Sequence, residues 1–149
     1  MEKLERIIFV GRSGTCREPM AMGIWEDISH DTDIEVLARG LVVSFPEPMN
    51  GKAEAILISN GINLEQFTSQ ELSEDDITEN TLILTMERKQ RDKVLAKFSN
   101  AHIDHVYVLT EFVGDELEII DPYGGSLQSY GLCYETLRKT MKKLMKILR

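Results

Sequence analysis

The chain is expected to fold as one α/β domain spanning residues 1–149, a three-layer unit whose four-stranded parallel sheet carries helices on both faces. Three observations predict this. Short β-branched and apolar runs recur along the chain, segments with helical spacing separate them, and the length suits one hydrophobic core. No internal repeat or low-complexity stretch interrupts the pattern.

Arg6-Ile7-Ile8-Phe9-Val10 stops abruptly at Gly11, as a buried strand feeding a tight turn does. From Pro19 onward, Met20, Gly23-Ile24-Trp25 and Ile28 mark a helix with proline in its first turn, where a missing N–H costs nothing. Trp25 reads as core or partly buried surface rather than a recognition residue. A second strand is expected from Ile34 to Ala38, followed by an extended segment around Phe45-Pro46-Glu47-Pro48. Residues 41–49 are apolar for a loop, which makes them a candidate exposed contact patch, with a packed crossover the preferred reading. Asn50 should cap a helix through Ala53, Ile56 and Leu57 that stops at Asn60-Gly61.

Thr81 to Met86 forms the third expected strand, Glu87 to Phe98 the next helix, and Val106 to Leu109 the fourth strand. Asp121-Pro122-Tyr123-Gly124-Gly125 is a turn, and Ser126 can cap a last helix from Leu127 to Lys146. In that helix Leu137, Met141, Leu144 and Leu148 recur at helical spacing, so its many Lys and Arg residues read as a solvated face.

The bulk composition narrows the function classes. A formal net charge of −8 argues against nonspecific nucleic-acid binding, which needs concentrated positive charge. No segment is long and apolar enough to cross a bilayer, and the charged start is a poor signal-peptide core, so a cytoplasmic setting without membrane partners is expected. The two cysteines, Cys16 and Cys133, are far apart and fit neither a disulfide scaffold nor a zinc site. His30, His102 and His105 lack ligand spacing and read as surface residues. No metal and no cofactor is expected, and the oligomeric expectation is a monomer or weak dimer.

Ligands of open parallel sheets bind at the carboxyl ends of the strands. That places chemistry in the loop Gly11-Arg12-Ser13-Gly14-Thr15-Cys16-Arg17, between the first strand and the first helix. Successive backbone N–H groups and the helix dipole can surround an anion there. Gly11 and Gly14 allow close backbone approach, and Arg17 offers a planar fork for two phosphate oxygens. Asp121-Pro122 alone reads as a simple turn.

The stretch Val10 to Ala21, with Cys16-Arg17-Glu18-Pro19-Met20-Ala21, resembles the signature V-C-x-x-G/x-N-x-C-R-S-P-M-A of low-molecular-weight protein tyrosine phosphatases. A second motif, Asp121-Pro122-Tyr123-Gly124-Gly125-Ser126, resembles that family's general-acid loop, and the likeness covers essentially the whole chain. Thr15 and the Gly-Gly-Ser run resemble members of the bacterial branch that acts on phosphoarginine. The resemblance implies a partner carrying phosphate, either free or on a protein side chain. It implies that Arg17 holds the phosphoryl group while amides of the 11–17 loop surround its oxygens. Asp121 would protonate the leaving group, and Tyr123 would form an aromatic wall beside it.

Three departures qualify this. The family's attacking thiolate belongs at position 11, and Gly11 has no side chain to form a covalent intermediate. Glu18 stands where the family has a hydroxyl residue; a carboxylate suits a helix start, yet it repels phosphate, with Arg12 a candidate to offset the charge. Gly14 replaces the usual Asn, and both tolerate the left-handed backbone. Cys16 reads as a small buried residue rather than a substitute nucleophile, and Ser13 and Thr15 lack a base nearby in sequence. The preferred expectation is a catalytically impaired phosphate or phosphoprotein binder. Two others stand beside it: a phosphatase acting on phosphotyrosine or phosphoarginine by a residual or non-covalent route, and a non-enzymatic interaction module with its pocket occluded by Glu18 or Arg12.

Overall fold

Alternation within the strands decides the architecture. The computed structural model describes residues 3–29, 33–64 and 66–148, so His30 lies outside them. Strand β1 (Arg6–Gly11) sits centrally, paired in parallel with β2 (Glu35–Gly40) on one side and β3 (Thr81–Thr85) on the other. Strand β4 (Val106–Val108) completes a parallel sheet of order β2-β1-β3-β4. Side chains alternate across a strand. Ile7 and Phe9 of β1, with Leu82 and Leu84 of β3, therefore enter one core, while Ile8, Val10 and Ile83 enter the other.

The larger core lies under α1 (Arg17–Ile28), α2 (Gly51–Ser59) and α5 (Leu127–Leu148). The smaller is closed by Val94 and Phe98 of α3 (Arg88–Lys97) and its C-cap, with Leu41 and Leu72. A one-turn helix α4 (Leu109–Phe112) follows β4 directly. The expected fold class is the observed one.

The expected caps form. The Asn50 side chain accepts from the amides of Lys52 and Ala53, and Ser126 Oγ accepts from the Ser129 amide. On α5, Leu137, Met141 and Leu144 are fully buried, each contributing about 1.5–3 kcal/mol by removal from water. Its cationic face is outward, where Arg138 pairs with Asp27 and Lys143 with Asp115. Trp25 is buried.

Some boundaries differ from expectation. Strand β2 runs two residues past Ala38, because the ladder with β1 continues until Gly40 faces Gly11. Leu109 opens α4 instead of ending β4. The 41–49 crossover is packed only at Leu41 and Met49; Val42 is 50% and Phe45 65% exposed. The prolines explain the difference: Pro46 and Pro48 hold an extended path that anchors the ends and leaves the middle outside. His102 is exposed and His105 half-buried, and no group of side chains able to hold a metal occurs among the described residues. No described helix is long and apolar enough to cross a membrane.

Candidate functional site

The loop between β1 and α1 is held from outside. The Gly11 and Arg12 carbonyls accept from Leu41 N at 3.0 and 2.9 Å, Arg12 O accepts from Val42 N at 2.8 Å, and Thr15 O accepts from Asn50 N at 2.8 Å. In a trans peptide the next N–H points opposite to each carbonyl. Turning these carbonyls outward therefore turns the amides of Arg12, Ser13 and Cys16 away from those neighbours. Gly14 adopts φ +75°, and Gly40 presses so close behind the loop that a Cβ there would stand 2.6 Å from the Ser13 carbonyl carbon. Only glycine fits that approach.

The hollow of the loop is filled. Glu18 is 2% exposed, and its Oε2 accepts from the Gly14 amide at 2.9 Å. A Cβ built on Gly11 would lie 2.3 Å from Glu18 Oε2, 2.4 Å from Cδ and 2.9 Å from Cγ. The carboxyl group thus occupies the space a side chain at position 11 would need. Burial pushes the Glu18 carboxyl above its ordinary range, and Asp121 adds to the rise. The amides of Glu18 and Gly14 and the Arg17 charge work in the opposite direction.

Arg17 is 3% exposed and fully engaged elsewhere. Nη1 donates to the Ile119 carbonyl at 2.7 Å, Nη2 donates to Glu87 Oε2 at 2.6 Å, and Asp121 Oδ2 stands 3.7 Å from Nη2. Burial opposes ionisation of Glu87, but the Arg17 hydrogen bond and charge, with Lys89, hold its carboxyl below the ordinary range. The expected offset of the Glu18 charge by Arg12 is not what forms: Arg12 points into solvent, and the positive charge felt by Glu18 is that of Arg17.

The remaining candidates divide clearly. Cys16 lies buried beneath the loop, and burial, followed by Glu18, Cys133 and Asp121, pushes its thiol far above the ordinary range. Ser13 Oγ and Thr15 Oγ1 hydrogen-bond each other at 2.9 Å near the surface. Asp121 is about half exposed and accepts from the Tyr123 amide at 3.0 Å, and the Tyr123 ring is 78% exposed. Asp121, Pro122 and Tyr123 border an open cleft of about 960 Å³ that continues to Leu132 and Thr136 of α5.

The structure thus brings Gly11, Gly14, Cys16, Arg17 and Asp121 together and leaves the side chains of Arg12 and Ser13 exposed. Glu87 and the Ile119 carbonyl were missed in the sequence. Glu87 was findable, since it follows β3 at the same carboxyl edge of the sheet as the loop.

A low molecular weight protein-tyrosine-phosphatase, PtpB of Staphylococcus aureus, is 30% identical over 143 residues, covering 96% of this chain and 99% of that protein. A protein-arginine-phosphatase of Bacillus subtilis is 31% identical over 148 residues, covering 96% of each. The solved YwlE arginine phosphatase of Geobacillus stearothermophilus superposes with a TM-score of 0.89 at 28% identity, covering 97% of this chain and 92% of that one. Residues 6–149 match the family model described as low molecular weight phosphotyrosine protein phosphatase, and the chain belongs to that family.

Proposed function

We propose that this chain is a catalytically impaired member of its family, binding phosphate or a phosphorylated protein side chain without hydrolysing it. The observation that carries this is the content of position 11: the Glu18 carboxyl lies in the space a side chain there would take, at the position where the motif resemblance puts the family's attacking cysteine and this chain has Gly11. Covalent turnover requires a sulfur–phosphorus bond to form as the bond to the leaving group breaks. Gly11 supplies no sulfur. The Cys16 thiol is buried and held protonated, which supports its reading as a packing residue. What supports retained anion binding is the placement of Arg17 at the start of α1 with Asp121 3.7 Å from its guanidinium, the two positions to which the resemblance assigns phosphate holding and proton donation.

A second reading, a non-enzymatic interaction module, is favoured by one observation. Leu117, Ile120 and Tyr123 are 82%, 84% and 78% exposed on the segment that borders the cleft beside Asp121. Apolar exposure of this kind marks contact surfaces.

The discriminating experiment measures phosphate release from an aryl phosphate, phosphotyrosine and phosphoarginine. The expected result is background release by the chain itself and by Gly11→Cys, with release restored by Gly11→Cys/Glu18→Ser and abolished when Arg17→Ala is added. Arg17-dependent release by the unaltered chain would overturn the impaired reading. No release by the double variant would favour the interaction module.

A further inference from the structure

We infer that the Glu18 carboxyl group is the resident ligand of the anion cradle, and that an external phosphate binds only by exchanging with it. This deepens the proposed function and rests on it.

Glu18 is the second residue of α1, so its amide and that of Gly14 belong to the set of N–H groups on which an anion would sit. Its side chain does not extend to solvent, as an acidic residue at a helix start ordinarily can; it folds back beneath the loop and is almost wholly buried. The group it brings shares with phosphate the feature an N–H cradle binds, an oxygen acceptor, and that oxygen already accepts from the Gly14 amide.

The second half of the site is closed in the same state. Arg17 does not face outward from the loop to meet an incoming anion; its guanidinium is divided between Glu87, the Ile119 carbonyl and Asp121. The hollow and the guanidinium are thus both satisfied by internal acceptors. For phosphate to bind, the Glu18 carboxyl must leave and Arg17 must give up at least one of these partners. An internal competitor lowers the apparent affinity for an external ligand by the fraction of molecules in the open form. Because Glu18 is tethered four residues from Gly14, it competes at high effective concentration.

Two effects are separable here. A carboxylate near the pocket would weaken phosphate binding by repulsion alone. Occupancy makes a further demand: a neutral side chain of the same shape should still block. The experiment titrates inorganic phosphate and phenylphosphonate into the full chain and into Glu18→Ala, Glu18→Gln and Glu18→Ala/Arg17→Ala. Binding is followed by phosphorus NMR and by the Gly14 amide resonance, with thermal melts confirming that each variant folds.

The expected result is binding at least tenfold tighter in Glu18→Ala than in the unaltered chain, lost again with Arg17→Ala, and a clearly smaller gain in Glu18→Gln. Equal gains in Glu18→Gln and Glu18→Ala would overturn occupancy in favour of repulsion. Equal affinity of the unaltered chain and Glu18→Ala would overturn the inference while leaving the proposed function intact. Absence of saturable binding in every folded form would overturn the inference together with the anion-binding half of that function.

Discussion

Gly11→Cys introduces a side chain into space already taken. Its Cβ alone would approach Glu18 Oε2 to 2.3 Å, where ordinary contact begins at 3.4 Å, and the sulfur lies further out still. Because Glu18 is buried, relief requires the carboxyl to leave the Gly14 amide and find a new place. Overpacking of this kind costs about 1–3 kcal/mol. For a chain of this size each kcal/mol shifts Tm by about 2–4 °C, so a fall of about 2–12 °C is expected. Glu18→Ser removes the obstacle, and Gly11→Cys should cost much less in its presence. The assay is a double-mutant cycle by thermal and denaturant unfolding of the four proteins. The expected coupling is about 1 kcal/mol or more, in the sense that the double variant is more stable than the sum of the single changes. Additivity within about 0.5 kcal/mol would refute the reasoning, because it would mean that positions 11 and 18 do not compete for one space.

Glu18 also predicts a pH dependence. Its folded value is raised above the ordinary 4.5, so its stabilising contribution is full below that value and is lost as pH rises through the folded one. The Tm of Glu18→Gln relative to the unaltered chain should therefore climb as pH rises above the ordinary 4.5, and a flat difference would contradict the burial argument. Glu87 has the opposite sign: its lowered value makes its contribution present at neutral pH and lost in acid. Glu87→Gln should cost about 1.5–3 kcal/mol at pH 7 by weakening a hydrogen bond to the charged Arg17, with the loss shrinking as pH falls through the folded value. Cys133, pushed up to about 12 by burial, and Cys16 should react with a disulfide reagent only as fast as the chain opens, so labelling in native buffer should track unfolding. Gly40→Ala should destabilise by about 1–3 kcal/mol, measured by denaturant unfolding, because its Cβ meets loop backbone that cannot swing aside.

The sheet was legible because strands buried on both faces read as continuous apolar runs: β1 and β3 were placed to within a residue at either end. Asn50 and Ser126 were legible because a cap is a local act, decided by residues within a few positions. The position of the Glu18 side chain was only partly legible. Sequence offered both an exposed carboxylate at a helix start and one folded over the pocket, and the choice depends on the empty volume above Gly11. That volume exists only once β1, the loop and α1 are assembled. The partners of Arg17 were legible unequally: Glu87, 70 residues away, follows β3 at the same edge of the sheet as the loop, whereas Ile119, 102 residues away, contributes a backbone oxygen that no residue type announces. The exposed centre of the 41–49 crossover shows the limit of composition: Val42 and Phe45 are apolar, but the prolines decide where the backbone runs.

The outward hydrogen bonds of the 11–17 loop have a consequence for how chemistry and architecture come apart. The loop is braced by the amides of Leu41, Val42 and Asn50 and by the close approach of the Gly40 backbone. Much of the mould is therefore held from outside, by contacts separate from the Glu18 carboxyl that fills it. A domain built this way can fall silent one side chain at a time and remain superposable on working enzymes throughout. Resemblance of backbone then reports ancestry and leaves activity to be decided by a handful of atoms.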